Sequence, residues 1–423
     1  MSDYKLEINL KQHTPLIHFQ HDQAGATLRA TEVKPKLDRF IVEKLGRKET
    51  PKDWFLGDTK ALNYKLLISA TANNDPIPLG PKTDYDIYYG NMGDGPEKKG
   101  TLCDIVKLTF ICFKPDLMEA IKKYISEFFI ATNFGTMQNK GFGSFTVEKS
   151  SDPGIVYCDY TNPAEVARVL RDNYKSEKCY SFDGGNTPFK SIKTVYSIMK
   201  SGINLRIPEK VNGKIKTVNG KIEFKIVKYQ RSLLFLYMHN KYHFSNEKAW
   251  MKQNGIAPAV CYDNEDLGKE FRDELTKQDP YYVRALLGVG DHIEFMKEAG
   301  RPSQKTTVTI KSEKIDRLES SVFFKVIEND KKNTVYFVGK RINEGIYDKP
   351  FVFSGYKENK LRTPPKEKLN EEEDEFIDGF LDFCYHCLKG DYQPADELYK
   401  NIRNDGKMIS NVFPEAKSIK EVK

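Results

Sequence analysis

Residues 133–145 read NFGTMQNKGFGSF. Three glycines, Gly135, Gly141 and Gly143, frame a polar stretch lying between an amphipathic segment and an alternating one. Glycine serves where the backbone must take φ > 0 or pass close to another backbone. Taken alone, the stretch reads as a helix C-cap followed by a β-bulge. Asn139 and Lys140 open a second reading, in which N–H groups exposed by glycine, with a lysine nearby, hold phosphates without reading bases. It is not a Walker loop, since no Gly-Lys-Ser/Thr leads into a helix. The surrounding segments decide between the two readings.

Upstream, YKLEINL (4–10) alternates apolar and polar side chains, and TPLIHF extends it as a first strand. ATEVKPKLDRFIVEKLG (30–46) places Val33, Leu37, Phe40, Ile41 and Leu45 on one helical face, with Gly46 as its stop and Pro35 near its start. LNYKLLISAT and CDIVKLTFICF are strands separated by a Pro-, Gly- and Asp-rich excursion from Asn73 to Lys99. Pro115 opens a second helix whose Leu117, Ile121, Ile125 and Phe128 recur at helical spacing. FGSFTVE closes the set as a strand after the glycine loop. The order is βαββαβ, a ferredoxin-like, RRM-like arrangement.

The turn SDPG at 151–154 marks a boundary, which gives two domains, 1–150 and 151–423. The second half begins with the helical segments NPAEVARVLRDNY and SIKTVYSIMKSG. VNGKI then occurs twice, at 211–215 and 218–222, and Asn-Gly between apolar residues is a strong hairpin signal. Six lysines, including Lys214 and Lys216, lie between Arg206 and Arg231 against Glu209 and Glu223, so the hairpin is basic. LLFLYMHNKYH and DLGKEFRDELTKQ read as helical. KTTVTIKS, SVFFKVIE and NTVYFVGKRI follow as strands, and EEEDEFIDGFLDFCYHCLKG as a last helix. The expected fold class is α+β, two ferredoxin-like units with insertions in the second.

Composition narrows the function. Of 423 residues, 39% are hydrophobic and 30% charged, the balance of a soluble globular chain. The sequence holds no run of about 18 apolar residues and no signal-peptide core, so a cytoplasmic protein without membrane contact is expected. Seven cysteines spread over this length are read as reduced thiols. The net charge of +7 permits an anionic partner, and 23 Tyr and 26 Phe interleaved with basic stretches suit single-stranded nucleic acid.

The glycine loop at this point of a ferredoxin-like unit resembles that of the RAMP superfamily of CRISPR-associated RNA-binding proteins. GATLRATEVKPKLDRFI (25–41) is similar to the segment in which a Gly/Arg turn leads through basic residues into the first helix. DRLESSVFFKVI (316–327) resembles the Arg-x-x-Ser-Pro motif opening a strand, carried by Arg317, Ser320 and Ser321, with Val322 in place of the proline. Two such units in a chain of this size resemble the large subunit that caps the guide's 3′-end side in a type III-B (Cmr-type) effector complex. The resemblance implies a non-catalytic subunit that binds crRNA and target RNA by backbone contacts and sits among other RAMP subunits, without a cofactor. It places Gly135, Asn139, Lys140, Gly141, Phe142 and Gly143 on the RNA path with Arg29, Lys34, Lys36 and His18, and Arg317 and Lys325 in the second unit. Lys214 and Lys216 would reach RNA or a neighbouring subunit from the hairpin.

Two rival functions follow from the same residues. His18 or His21 beside the first helix, with Lys34 steadying charge on a phosphate, would suit a metal-independent endoribonuclease that processes crRNA. A protein-interaction scaffold would use the basic surface without touching RNA. No metal site is expected. Cys384 and Cys387 lie in an apolar helical context without a second ligand pair, and His239 and His243 lack the Glu of HExxH.

Overall fold

The computed structural model describes residues 4–18, 27–72, 76–80, 83–86, 99–150, 152–208, 210–218, 221–222, 224–258, 277–296, 305–315, 318–369, 375–393, 396–399, 409 and 413–423. The first half runs β1 (Lys5–Gln12), α1 (Ala30–Leu45), β2 (Lys65–Ala72), β3 (Cys103–Ile111), α2 (Pro115–Ala131) and β4 (Phe145–Val147). Next come α3 (Pro163–Tyr174), β5 (Cys179–Gly185) and α4 (Pro188–Lys200). The ribbon strands β6 (Ile203–Pro208) and β7 (Phe224–Gln230) precede α5 (Leu233–Tyr242). The chain continues through β8 (His292–Met296), β9 (Lys305–Lys311), β10 (Val322–Asn329) and β11 (Lys332–Gly339). β12 (Pro350–Ser354), β13 (Glu358–Arg362), α6 (Glu375–Lys389) and β14 (Lys420–Glu421) end it.

Two compact units interleave along the chain. One comprises Met1–Ile192, Phe323–Val338 and Lys420–Lys423, the other Lys193–Val322 and Gly339–Ile419. They differ from a single division at residue 150, because one apolar core gathers both sides of that point. Leu6, Ile8 and Leu10 of β1, Val33, Leu37 and Ile41 of α1, and Ile121, Ile125 and Phe128 of α2 share a cluster with Val166 and Leu170 of α3 and Phe323, Ile327 and Val338 of β10 and β11.

That first unit contains two four-stranded sheets. The first has the order β2-β3-β1-β4, with β3 antiparallel to both β1 and β2 and β1 antiparallel to β4. Alternation does its ordinary work here: Leu6, Ile8 and Leu10 are buried while Lys5, Glu7 and Asn9 are not. TPLIHF does not continue β1; Pro15 interrupts it, and only Leu16 forms a bridge, with Thr101. Pro35 lies inside α1, past its first turn.

The second sheet has the order β10-β11-β5-β14. In chain order β5, α4, β10, β11, α6 and β14, it repeats the connectivity of the first, with the segments 201–321 and 340–374 inserted. β5 escapes a reading by alternation because Cys179, Tyr180, Ser181 and Phe182 are all buried. In the other unit, β6 and β7 pair as an antiparallel ribbon, and β8, β9, β12 and β13 form a sheet in the order β8-β9-β12-β13. DLGKEFRDELTKQ falls almost wholly outside the described residues. Among the described residues, no helix is long and apolar enough to cross a membrane.

Candidate nucleic-acid interface

The glycine loop begins one residue beyond α2, whose C-cap is Thr132 in an extended conformation. The expected glycine C-cap is therefore absent. A bridge between Asn133 and Ser144 closes the loop, and the Phe134 N–H donates to the Gly143 carbonyl at 2.9 Å. Gly143 takes φ +63°, and a Cβ there would stand 2.0 Å from the Phe134 oxygen. Gly135, at φ +76°, passes so close to Ile17 that a Cβ would meet its oxygen at 2.4 Å. Close backbone approach is what demands glycine at both positions.

The loop amides face inward. Gly135 N–H donates to Glu32 Oε1 at 2.8 Å, Thr136 N–H to the Ile17 oxygen at 2.8 Å, and Gly143 N–H to the Pro15 oxygen at 2.9 Å. Lys140 N–H goes to the Met137 oxygen, and Ser144 N–H to Thr14 Oγ1 at 2.9 Å. These donors cannot also cradle a phosphate. At these positions the stretch is a packed seam, and the Gly135, Thr136, Lys140, Gly143 and Ser144 amides are withdrawn from any anion.

On its other side the loop runs along β10. Phe324 N–H donates to the Asn139 oxygen at 3.0 Å, Asn133 Nδ2 to the Phe324 oxygen at 2.9 Å, and Ser144 Oγ to the Val326 oxygen at 2.6 Å. Gly141 lies against β10 and α4, where a Cβ would be 2.8 Å from Val326 Cγ2. Lys325 sits between the two sheets with no exposed surface. Its Nζ donates to the oxygens of Phe129 (2.7 Å), Thr132 (3.1 Å) and Phe145 (3.1 Å) and to Asn133 Oδ1 (3.2 Å). Burial pushes this amine well below the ordinary lysine value, while the carbonyls at the end of α2 favour its charge.

Two expected RNA contacts are thereby corrected. Lys325 is a buried strut. Phe142 is fully buried too, stacked on Phe189 with ring centroids 4.0 Å apart. Neither side chain reaches a surface where RNA could lie.

The basic entrance to α1 divides. Lys36 Nζ donates to Glu32 Oε1 (3.0 Å), the Asn133 oxygen (3.1 Å) and Gln138 Oε1 (2.9 Å), so it pins the loop to the helix. Lys34 binds Asp38 Oδ2 and the Leu62 oxygen, both at 2.8 Å, and lies over the Tyr64 ring. Both amines are committed to the protein. Arg29, at the N-cap of α1, is exposed; His18, Asn139 and Lys140 are half-buried. Recession from water pulls the Lys140 amine down to about 8. His21 lies outside the described residues, as does Arg317.

In the other unit, Lys210 and Lys214 are exposed and Lys216 is half-buried. The turn between the first two holds Asn212 at φ +49° and Gly213 at φ +78°, as Asn-Gly predicts. Ser320 Oγ accepts from Val322 N–H at 3.1 Å, and Ser321 Oγ donates to the Leu286 oxygen at 2.7 Å, so these serines brace the start of β10. Among the described residues no His, Cys, Asp and Glu side chains cluster as a metal site. Cys384 and Cys387 are buried in α6, and burial pushes both thiols well above the ordinary value. His239 is buried with Nδ1 2.7 Å from Gln278 Oε1, and His243 ends α5 at φ +57°.

Tyr4 and Phe113 lie just outside β1 and β3 and are exposed; alternation sets Phe113 in step with the outward Thr109 and Ile111, whereas Tyr4 is in step with buried Leu6, so its exposure was not legible.

Comparison with known families gives two matches. The family described as the Cmr1 N-terminal domain matches residues 3–203, and the Cmr1 C-terminal domain matches residues 229–404. No curated protein matches the chain by sequence. Among solved structures, apo Cmr1 from Pyrococcus furiosus aligns at 10% identity over 80% of this chain and 88% of that one, with a TM-score of 0.38.

Proposed function

Since the chain belongs to the Cmr1 family, the CRISPR-associated RAMP proteins of type III effector complexes, we propose that it is a non-catalytic subunit gripping RNA by its backbone. It would hold crRNA and paired target near the guide's 3′ end, beside other RAMP subunits in the cytoplasm. Both sheets are read as ferredoxin-like, because each follows one strand order with a helix after its first and third strands. On this reading residues 1–150 carry the N-terminal RAMP repeat and 151–423 a second one enlarged by its insertions, and the two repeats, unlike the compact units, share one core.

The observation that carries this reading is that, of the basic side chains expected on the RNA path, Arg29 beside the glycine loop and Lys214 in the 210–216 turn segment are exposed, with Lys140 and Lys216 half-buried near them. Asn139 and His18 flank the loop side. Lysine and arginine side chains suit contact with phosphate and ribose.

Binding of a labelled single-stranded RNA to the full chain, followed against salt, tests the reading. Replacing Lys214 and Lys216 together by Glu should weaken binding and flatten the salt dependence by about two charges. Lys140 adds a pH signature. Its amine is protonated below about 8, so its share of the affinity is lost as pH rises through that value and disappears in Lys140→Met. Unchanged RNA affinity in all these variants would favour the scaffold.

A further inference from the structure

Among the described residues, the outer face of the first sheet, away from α1 and α2, exposes polar side chains, Lys5, Glu7, Asn9, Lys65 and Ser69, together with a few large apolar ones. On β3, Ile105 is 61% exposed, and on β2, opposite Thr109, Leu67 is 58% exposed. Two residues past β3, Phe113 is 78% exposed and stacks on Tyr4, itself 50% exposed, with centroids 5.4 Å apart and planes at 28°. Single apolar side chains on a surface are ordinary; the feature here is a pair of large rings stacked on each other in the open.

The charges around the stack are unequal. In register, Ile111 lies between Lys5 on one side and Lys65 on the other, so lysines flank the row that ends at the rings. Lys107 stands farther along β3. The acid on β1's outer face is Glu7, bridged by Lys5 at 2.9 Å and Lys107 at 2.8 Å. Stacking rings beside surplus cations match a strand of alternating bases and phosphates better than they match an apolar protein face.

We propose that the Tyr4–Phe113 stack is a base platform for single-stranded RNA, with Lys65, and Lys5 exchanging its exposed bridge to Glu7, taking the flanking phosphates. The site lies at the Lys5 end of β1, whereas the glycine loop joins the sheet at its Gln12 end. This deepens the RNA-binding reading and rests on it. It adds a second contact, about 25 Å away along an eight-residue strand.

The test uses the full chain and an oligouridine carrying 5-iodouridine. Ultraviolet cross-linking should label the peptides holding Tyr4 or Phe113. Phe113→Ala should weaken binding about tenfold with the salt dependence unchanged, as expected for one lost stacked base. Phe113→Trp should restore it and Phe113→Leu should not. Lys5→Glu with Lys65→Glu should flatten the salt dependence instead. Wild-type affinity in Phe113→Ala without cross-links at either ring, while Lys214→Glu still weakens binding, would overturn the platform and leave the RNA reading intact. No RNA binding by the wild-type chain would remove both. A dimer that becomes a monomer in Phe113→Ala, seen by light scattering, would assign the face to a second copy and overturn the proposal. Because Phe113 is exposed, its melting temperature should match the wild type, and this checks folding.

Discussion

The glycine loop at 133–145 and the ribbon at 203–230 are made of similar material, glycines next to lysines, and they end in opposite states. In the loop, a Cβ on Gly143 would collide with backbone at 2.0 Å, and the amides bond within the chain. In the ribbon, Gly213 has nothing within 4 Å of where its Cβ would be, and Lys214 is exposed. One glycine answers a close approach, the other only a turn. A basic glycine-rich stretch can therefore stay open to solvent where its glycine answers only a turn, and becomes a structural joint where elements distant in the chain claim its donors.

The largest effect should break the joint. Lys325→Met keeps the stem but leaves three buried acceptors and a part-buried one without its amine, and at about 1 kcal/mol or more for each of the three it should cost about 3 kcal/mol in chemical denaturation. A loss below about 1 kcal/mol would mean that water replaces the amine.

Gly143→Ala comes next. The left-handed backbone and the clash together should cost more than about 2 kcal/mol, against about 1 kcal/mol for Gly213→Ala, where only the backbone conformation resists. Equal losses at the two positions would erase the contrast.

Acid should weaken the joint as well. His13 is buried there, with Nε2 2.7 Å from Thr146 Oγ1 and Nδ1 accepting from Glu328 N–H at 3.1 Å. Burial, with Lys325 and Lys11 nearby, holds its pKa well below the ordinary value. The unfolded chain takes up a proton below about 6.5 that the folded one refuses, so stability is full above that pH. It should fall by up to about 1.4 kcal/mol per unit as pH drops further, and urea midpoints at successive pH values would detect this. A profile that stays flat in this range would mean the imidazole is charged in the fold.

Lys214→Glu should have the smallest effect on stability, within about 0.5 kcal/mol, while weakening RNA binding. A variant that unfolds instead would show the ribbon to be a joint too.

Much of this was legible. The helical faces of α1 and α2 and the alternation of β1 follow from spacing, and Asn-Gly announced the turn at 212–213. Lys325 could have been placed by its context, a lysine inside the apolar run Val322–Ile327, since an unbroken run signals a strand buried on both faces. β5 gave no such sign, because its buried Ser181 and its Asp183-Gly184-Gly185 end imitate a loop.

What the sequence determined by itself is local: which segments bury one face, where the chain turns, and the family pattern of Gly, Arg and Ser positions. Tertiary structure alone decided which cations the packing claims. The partners that claim the joint are far apart in sequence, with Lys325 meeting the Phe129 oxygen 196 residues away and Phe145 180 away. No local pattern encodes whether a backbone donor or a lysine will find such a partner, and an amine held by buried carbonyls is closed to a phosphate.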